Sequence, residues 1–193
     1  MGKIVATAFV TLDGVMQGPG HPDEDRSGGF DRGGWAAPYS DQEFVEAMGV
    51  GMRRSGAMLF GRKTYEHFAT VWPQQGDDNV FAKVLNEREK FVASTTLSEP
   101  LPWARSTLLS GDVSDTLPPV KAGREEDLAV LGSATLVRSL LAAGLLDELV
   151  LVAHPVVLGT GRRLFDGPLD GTFRLLGSQT TSAGLVISRY APA

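Results

Sequence analysis

The hydrophobic positions along this chain fall into short runs separated by glycine, proline and charged residues, and their spacing predicts alternating strands and helices. Ile4 to Val10 is rich in β-branched residues and apolar on both faces, which predicts a strand buried inside a sheet. Phe44, Met48 and Met52 recur at i, i+4 and i+8, one face of a helix with its methionines in the core. Ser40 is the expected N-cap of that helix, with Asp41 and Glu43 well placed for its dipole. Ala57 to Phe60 predicts a strand ending at Gly61, followed by a helix from Arg62 to Ala69 with Tyr65, Phe68 and Ala69 on one side. Val80, Phe81, Val84 and Leu85 predict a further helix. Phe91 to Ala93, ending at Ser94 and Thr95, and Thr107 to Leu109 predict two more strands.

In the second half, Pro118 and Pro119 are expected to break any long helix. Leu128 to Leu131 predicts a strand that ends at Gly132-Ser133. A helix follows with Leu136, Val137, Leu140 and Leu141 inward and Gly144 as its C-terminal cap. Leu149 to Val152 predicts a strand running on through Pro155 to Val157. Thr172 to Leu176 and Leu185 to Tyr190 predict a hairpin around the turn-rich Gly177 to Gly184. The polar, glycine- and proline-rich stretch from Gln17 to Ser40 has no such pattern and reads as a lid or a disordered segment. Strands alternating with helices, then a strand-rich tail, give an α/β fold: a mixed, mostly parallel sheet with helices on both faces and an antiparallel edge.

Composition narrows the function. The 193 residues suit one domain over 1–193, and 42% hydrophobic content is ordinary for a globular chain. With 23 Asp and Glu against 18 Lys and Arg, the net charge of −5 gives no broad field for nucleic acid or an anionic membrane. The absence of cysteine excludes disulfides, thiolate catalysis, iron–sulfur clusters and cysteine-ligated zinc. His21, His67 and His154 show no metal-ligand spacing, so no metal is expected; His154 beside Pro155 reads as a packed histidine. The apolar run from Ile4 to Leu12 is too short to span a membrane and no cleavage-site pattern follows, so the chain reads as cytoplasmic.

Four segments carry candidate chemistry. The first is the strand-to-helix corner Gly61-Arg62-Lys63-Thr64. A helix start exposes unpaired N–H groups at the positive end of the dipole, Gly61 permits close approach, and Arg62 and Lys63 add donors. Two cations there suit a dinucleotide with an extra 2′-phosphate, hence NADPH rather than NADH. The corner Gly132-Ser133-Ala134-Thr135-Leu136 repeats the same physics; taken alone it reads as an ordinary strand-to-helix turn with Ser133 as a cap, but two such corners in one sheet could flank a pyrophosphate. No G-x-G-x-x-G fingerprint occurs, which argues against a Rossmann dinucleotide domain. Third, Thr11-Leu12-Asp13-Gly14 offers a carboxylate to substrate, or simply a turn. Fourth, Pro155 to Phe165 leads into a glycine turn, Gly159-Thr160-Gly161, where Arg162 or Arg163 would hold a substrate phosphate or face solvent. Trp35, inside the polar stretch, is a candidate to touch a substrate ring.

These residues resemble a known family. Gly61-Arg62-Lys63-Thr64-Tyr65-Glu66 after an apolar strand is similar to the cofactor motif of dihydrofolate reductases. Leu131-Gly132-Ser133, Gly144-Leu145-Leu146-Asp147-Glu148-Leu149 and Pro155-Val156-Val157-Leu158-Gly159-Thr160-Gly161 resemble the C-terminal reductase domain of the bifunctional riboflavin-biosynthesis deaminase–reductase, and more closely its stand-alone relatives. Thr11-Leu12-Asp13-Gly14 matches their first-strand signature, with threonine for the usual serine. The resemblance implies a dihydrofolate reductase-like sheet of about eight strands with NADPH across the strand ends. Its phosphates would lie on the two corners, with Ser94 and Thr95 near the adenosine 2′-phosphate and the nicotinamide by the end of the first strand. It also implies a homodimer.

The leading expectation is a reductase that transfers hydride from NADPH to a C=N or C=O bond of a small heterocyclic or ribityl-like substrate. The chemistry would resemble that of 5-amino-6-(5-phosphoribosylamino)uracil reductase, with the proton coming from water or from an acid at Asp13 or Asp41. Dihydrofolate reduction is one alternative, and Asp41, Glu43 and Glu46 are the candidates for the carboxylate it requires. A non-catalytic nucleotide-binding protein of the same fold and a flavin carrier are the others.

Overall fold

The computed structural model describes residues 1–76, 78–167 and 169–193. The elements are β1 (Ile4–Thr11), α1 (Gln42–Arg54), β2 (Ser55–Gly61), α2 (Arg62–Val71), α3 (Val80–Glu87), β3 (Glu89–Ala93), β4 (Ser106–Leu109), α4 (Val113–Ala122), β5 (Asp127–Leu131), α5 (Ala134–Ala142), β6 (Glu148–His154), β7 (Phe173–Thr180) and β8 (Val186–Pro192). One eight-stranded sheet has the order β4-β3-β2-β5-β1-β6-β8-β7. Its first six strands are parallel, and β8 and β7 close it antiparallel. No helix among the described residues is long and apolar enough to cross a membrane.

The topology decides where a cleft opens. From β1 the chain moves outward through β2 and β3 to β4, then returns to β5, between β2 and β1, and crosses to β6. Right-handed crossovers in opposite directions put their helices on opposite faces of the sheet. Ile4, Ala6 and Ala8 accordingly pack with Leu117 of α4 and Leu136, Val137 and Leu140 of α5. Met58, Phe60 and Val92 pack on the other face with Met52 of α1, Tyr65 of α2 and Leu85 of α3. β2 and β5 are therefore neighbours whose following helices, α2 and α5, leave to opposite sides. Such a switch point leaves a crevice beyond the carboxyl ends of the strands.

Several local expectations are corrected. The N-cap of α1 is Asp41, not Ser40, because its carboxylate accepts the Phe44 N–H at 2.8 Å. Met52 is buried, but Met48 is only half-buried at the edge of a second cluster, so the stripe is not wholly core. Pro118 and Pro119 sit inside α4 rather than ending it; the fully buried Leu117 anchors that short helix to the core. β6 stops at His154, where Val156 N–H turns back to the His154 carbonyl at 2.7 Å. The final hairpin is tighter than its composition suggests, since β7 extends to Thr180. The stretch from Gln17 to Ser40 is neither open nor structureless. Phe30, Trp35 and Ala36 bury against Val15, Phe9 and Leu158, and short helical turns occupy Ser27–Gly29 and Ala37–Tyr39.

Candidate functional site

Gly61 ends β2 and Ser133 follows β5, and adjacency of the two strands brings their corners into contact. The Gly61 N–H donates to Ser133 Oγ at 3.1 Å, and Ser133 Oγ donates to Thr64 Oγ1 at 2.8 Å. Ser133 holds a left-handed backbone (φ 57°, ψ 57°), and Gly132 before it has φ 63°. A non-glycine residue in that region costs about 1 kcal/mol, offset here by the two hydrogen bonds of its hydroxyl. The result leaves both helix starts without a side-chain cap: Gly61 has no side chain, and Ser133 turns its hydroxyl to the other corner. The first-turn groups of α2 and α5 line one groove, Arg62, Lys63 and Thr64 on one side and Ala134, Thr135 and Leu136 on the other. This fits a pyrophosphate: converging amides, two positive dipole ends and small residues allowing backbone approach.

The groove extends from the corners in both directions along the strand ends. Outward it reaches Ser94 and Thr95 after β3, together with Thr96 and the Gly111 to Ser114 start of α4. The Ser94 hydroxyl is committed to the turn, accepting Thr96 N–H and Leu97 N–H at 3.1 Å each, so Thr95 and Thr96 are the exposed groups there. Arg62 pairs with Glu66 at 3.2 Å one turn along α2, and Lys63 is exposed. Inward the groove passes Thr7 and Phe9 of β1 and meets Met16 to His21, Arg162, and Phe44 and Met48 of α1.

The remaining sequence candidates do other work. Asp13 is not on the groove lining and its carboxylate is consumed by turns. Thr11 Oγ1 donates to it at 2.6 Å, and Leu158 N–H and Gly159 N–H at 3.2 and 2.9 Å. The Thr11 hydroxyl, aided by the two amides, holds its pKa down at about 2, the wrong direction for a proton donor. Gly159 is the other half of that turn and does not reach the groove. Asp41 also lies off the groove. Besides capping α1, it accepts Ala183 N–H at 2.8 Å, while Glu43 accepts Ser182 N–H. Partial burial would raise the Asp41 carboxyl, but the Phe44 and Ala183 amides outweigh it and lower its pKa. Asp41 and Glu43 thus tie α1 to the β7–β8 turn, and Glu46 accepts from Gln42 on the surface at 2.9 Å, so none serves as a buried substrate carboxylate. Trp35 lies behind the groove, edge-on to the His154 ring at 5.0 Å, with its indole N–H on the Gln17 carbonyl at 2.8 Å. Burial lowers the His154 pKa, keeping the ring neutral among Phe9, Trp35 and Tyr39.

Arg162 does reach the groove, but its guanidinium is bound to the Asp25 carboxylate and to Ser27 Oγ rather than free for a phosphate. Two residues that organise this wall carry no sequence signal. Gln17 is buried; its amide nitrogen donates to the Ser27 carbonyl at 2.9 Å and its oxygen accepts Arg162 N–H at 3.0 Å. Asp25 sits in a polar run indistinguishable from any solvated loop. Among the described residues, no group of three or more His, Asp or Glu gathers as a metal site.

Comparison with known proteins places the chain. The family described as RibD C-terminal domain matches residues 2–187. Uncharacterized protein YyaP of Bacillus subtilis (strain 168) is 26% identical over 188 residues, covering 95% of this chain and 92% of that protein. Among solved structures, a protein of Shewanella sp. PV-4 provisionally assigned to riboflavin biosynthesis superposes with a TM-score of 0.70 at 21% identity, covering 100% of this chain and 99% of that one. A pyrimidine reductase-like protein from Corynebacterium diphtheriae gives 0.66 at 13% identity over 100% and 92% of the two chains. Acinetobacter baumannii RibD gives 0.64 at 15%, with this chain spanning 58% of that longer protein. These structural likenesses establish the shared α/β fold, and the family match, over nearly the whole length, establishes membership: the chain belongs to the RibD C-terminal domain family.

Proposed function

We propose that this protein is an NADPH-dependent reductase acting on a small ring-containing substrate. Membership of the RibD C-terminal domain family makes it a reductase-type oxidoreductase of the riboflavin-pathway type; the cofactor and the reaction are our reading. The observation that carries it is the Gly61–Ser133–Thr64 bridge, which sets two uncapped helix starts side by side as a single anion cradle. The amides of Ala134 to Leu136 and the start of α2 hold the pyrophosphate, Gly132 permits its approach, and Arg62, Lys63 and Thr95 receive the 2′-phosphate. NADPH, when bound, supplies the hydride. The protein holds donor and acceptor carbons together and excludes water, with Phe9, Phe44 and Met48 as the apolar wall. Since Asp13 and Asp41 are held ionised, the substrate heteroatom takes its proton from water.

The expected reaction is hydride addition to a C=N or C=O bond, in a single cytoplasmic domain. We also propose a homodimer, supported by Leu175 (53% exposed) and Leu176 (37% exposed) on β7, the sheet's edge strand. The cofactor assignment is tested by titrating the protein with NADPH and NADH in a calorimeter. Saturable binding with NADPH preferred is the expected result, and no heat with either coenzyme would reject it. Light scattering at micromolar concentration reads the oligomeric state.

A further inference from the structure

The inner end of the groove is the place left for substrate once the corners hold a dinucleotide, and the carboxylates and Arg162 of its polar wall are already engaged with one another and with their own turns. Its apolar surface is Phe9, Met16, Phe44 and Met48, with the Phe9 and Phe44 rings edge-to-face at 5.5 Å. Its polar wall holds the carboxylates Asp23, Glu24 and Asp25, with Arg162 and the exposed His21 as the basic groups beside them. Asp23 is paired with Arg26 at 3.1 Å, and Glu24 closes its own turn by accepting Gly20 N–H at 2.6 Å. Asp25 accepts Ser27 N–H at 3.0 Å and Ser27 Oγ at 2.6 Å, and it receives the Arg162 guanidinium. Although partial burial would raise its pKa, Ser27 and Arg162 keep the Asp25 carboxyl below the ordinary value.

A phosphate entering here meets an arginine whose fork is filled and three carboxylates besides. Binding it would require breaking the Arg162–Asp25 pair or accepting unfavourable like-charge contacts at a partly desolvated surface. Stacking of a neutral ring on Phe9 and Phe44 carries no such cost. Resting on the reductase reading above, we propose that Asp25 sets specificity by holding Arg162, so that the substrate is an uncharged planar ring compound and phosphorylated substrates are rejected. In the reaction the electrophilic ring carbon takes the hydride, the π-bond pair moves to nitrogen or oxygen, that atom takes a proton from water, and the nicotinamide is left oxidised.

The test uses the protein saturated with NADP⁺, so that binding is read without turnover, and two probes, 5-amino-6-(ribitylamino)uracil and its 5′-phosphate. Wild type is expected to bind the neutral compound at least about tenfold more tightly, about 1.4 kcal/mol. Asp25→Asn, which releases the guanidinium, is expected to reduce or invert that ratio. Asp25→Asn/Arg162→Met is expected to lose the gained phosphate affinity. Thermal melts check that the variants fold, and Ser27→Ala, which weakens the hold on Asp25 without removing its charge, gives a smaller shift in the same direction. Equal or tighter binding of the phosphate by wild type, an unchanged ratio in Asp25→Asn, or no binding of either probe would overturn the proposal. Failure of NADP⁺ itself to bind would instead remove the reductase reading on which it rests.

Discussion

The Ser133 hydroxyl donates to Thr64 Oγ1 at 2.8 Å across 69 residues of chain, and through it the β5 and β2 corners become one structural unit. The bond exists because β2 and β5 are parallel neighbours in a sheet whose chain order separates them by two other strands and three helices. Ser133 makes both bonds from a left-handed backbone, φ 57° and ψ 57°. Both helix starts are thereby left uncapped and turned to the same groove.

Ser133→Ala removes both bonds and keeps the strained backbone. A loss of about 1–2 kcal/mol in urea unfolding is expected from the missing hydrogen bonds. NADPH affinity should fall as well, by about tenfold, because the corners are no longer held in register. Calorimetry of wild type and variant at one salt concentration measures this, and an unchanged affinity would remove the bridge from the binding argument.

Arg62 and Lys63 are exposed first-turn cations, and their assignment rests on the extra phosphate of NADPH. Arg62→Ala/Lys63→Ala is expected to weaken NADPH by about tenfold or more while leaving NADH nearly unchanged, since charge-assisted bonds to phosphate are worth about 1.5–3 kcal/mol before screening. Raising salt should shrink the difference between wild type and variant. Equal losses for both coenzymes would mean that these side chains do not read the 2′-phosphate.

Asp13 supplies a pH signature. Its carboxyl, lowered from 3.8 to about 2 chiefly by the Thr11 hydroxyl, binds a proton less readily folded than unfolded. The stability it adds is therefore fully present above pH 4 and is lost as pH falls from about 4 towards 2. Asp13→Asn is expected to melt below wild type at pH 7, with the two curves converging near pH 2. With Asp13 excluded as the proton donor, the pH dependence of kcat near neutrality should keep its shape in the variant.

Gly161 has φ 110°, and a Cβ there would lie 2.7 Å from Val15 Cγ1 and 2.8 Å from the Phe30 ring. Gly161→Ala therefore combines an unfavourable backbone region with overpacking against the cluster that fastens the Gln17 to Ser40 segment. A destabilisation of about 2–4 kcal/mol is expected from the two effects together. Faster proteolytic cleavage between Gly18 and Ser40 would locate the loosened contact; an unaltered melting temperature would count against it.

Much of the architecture was legible because it rests on local pattern. The apolar run Ile4 to Val10 read as a central strand and is one, between β5 and β6. Gly61 and Gly132 read as strand-to-helix corners for the same reason: a run of apolar residues, a glycine, then helical spacing. What misled was chemistry without position. Asp13 and Asp41 were candidates because only part of what binds them is local: Thr11 and Phe44 lie close in sequence, but the amides that complete their shells come from Leu158, Gly159 and Ala183. Trp35 looked available because it lies in a glycine- and proline-rich stretch without helical or strand periodicity, yet it packs against His154 far along the chain.

Periodicity and glycine placement by themselves determined the fold class, the two strand-to-helix corners and the exclusion of cysteine chemistry, since each depends on residues within a few positions of one another. Strand order alone decided that the corners meet, and long-range pairing alone decided that Arg162 is held by Asp25, 137 residues away. A charged side chain's chemistry is set by its partner, and when that partner arrives from a distant part of the chain no local pattern records it.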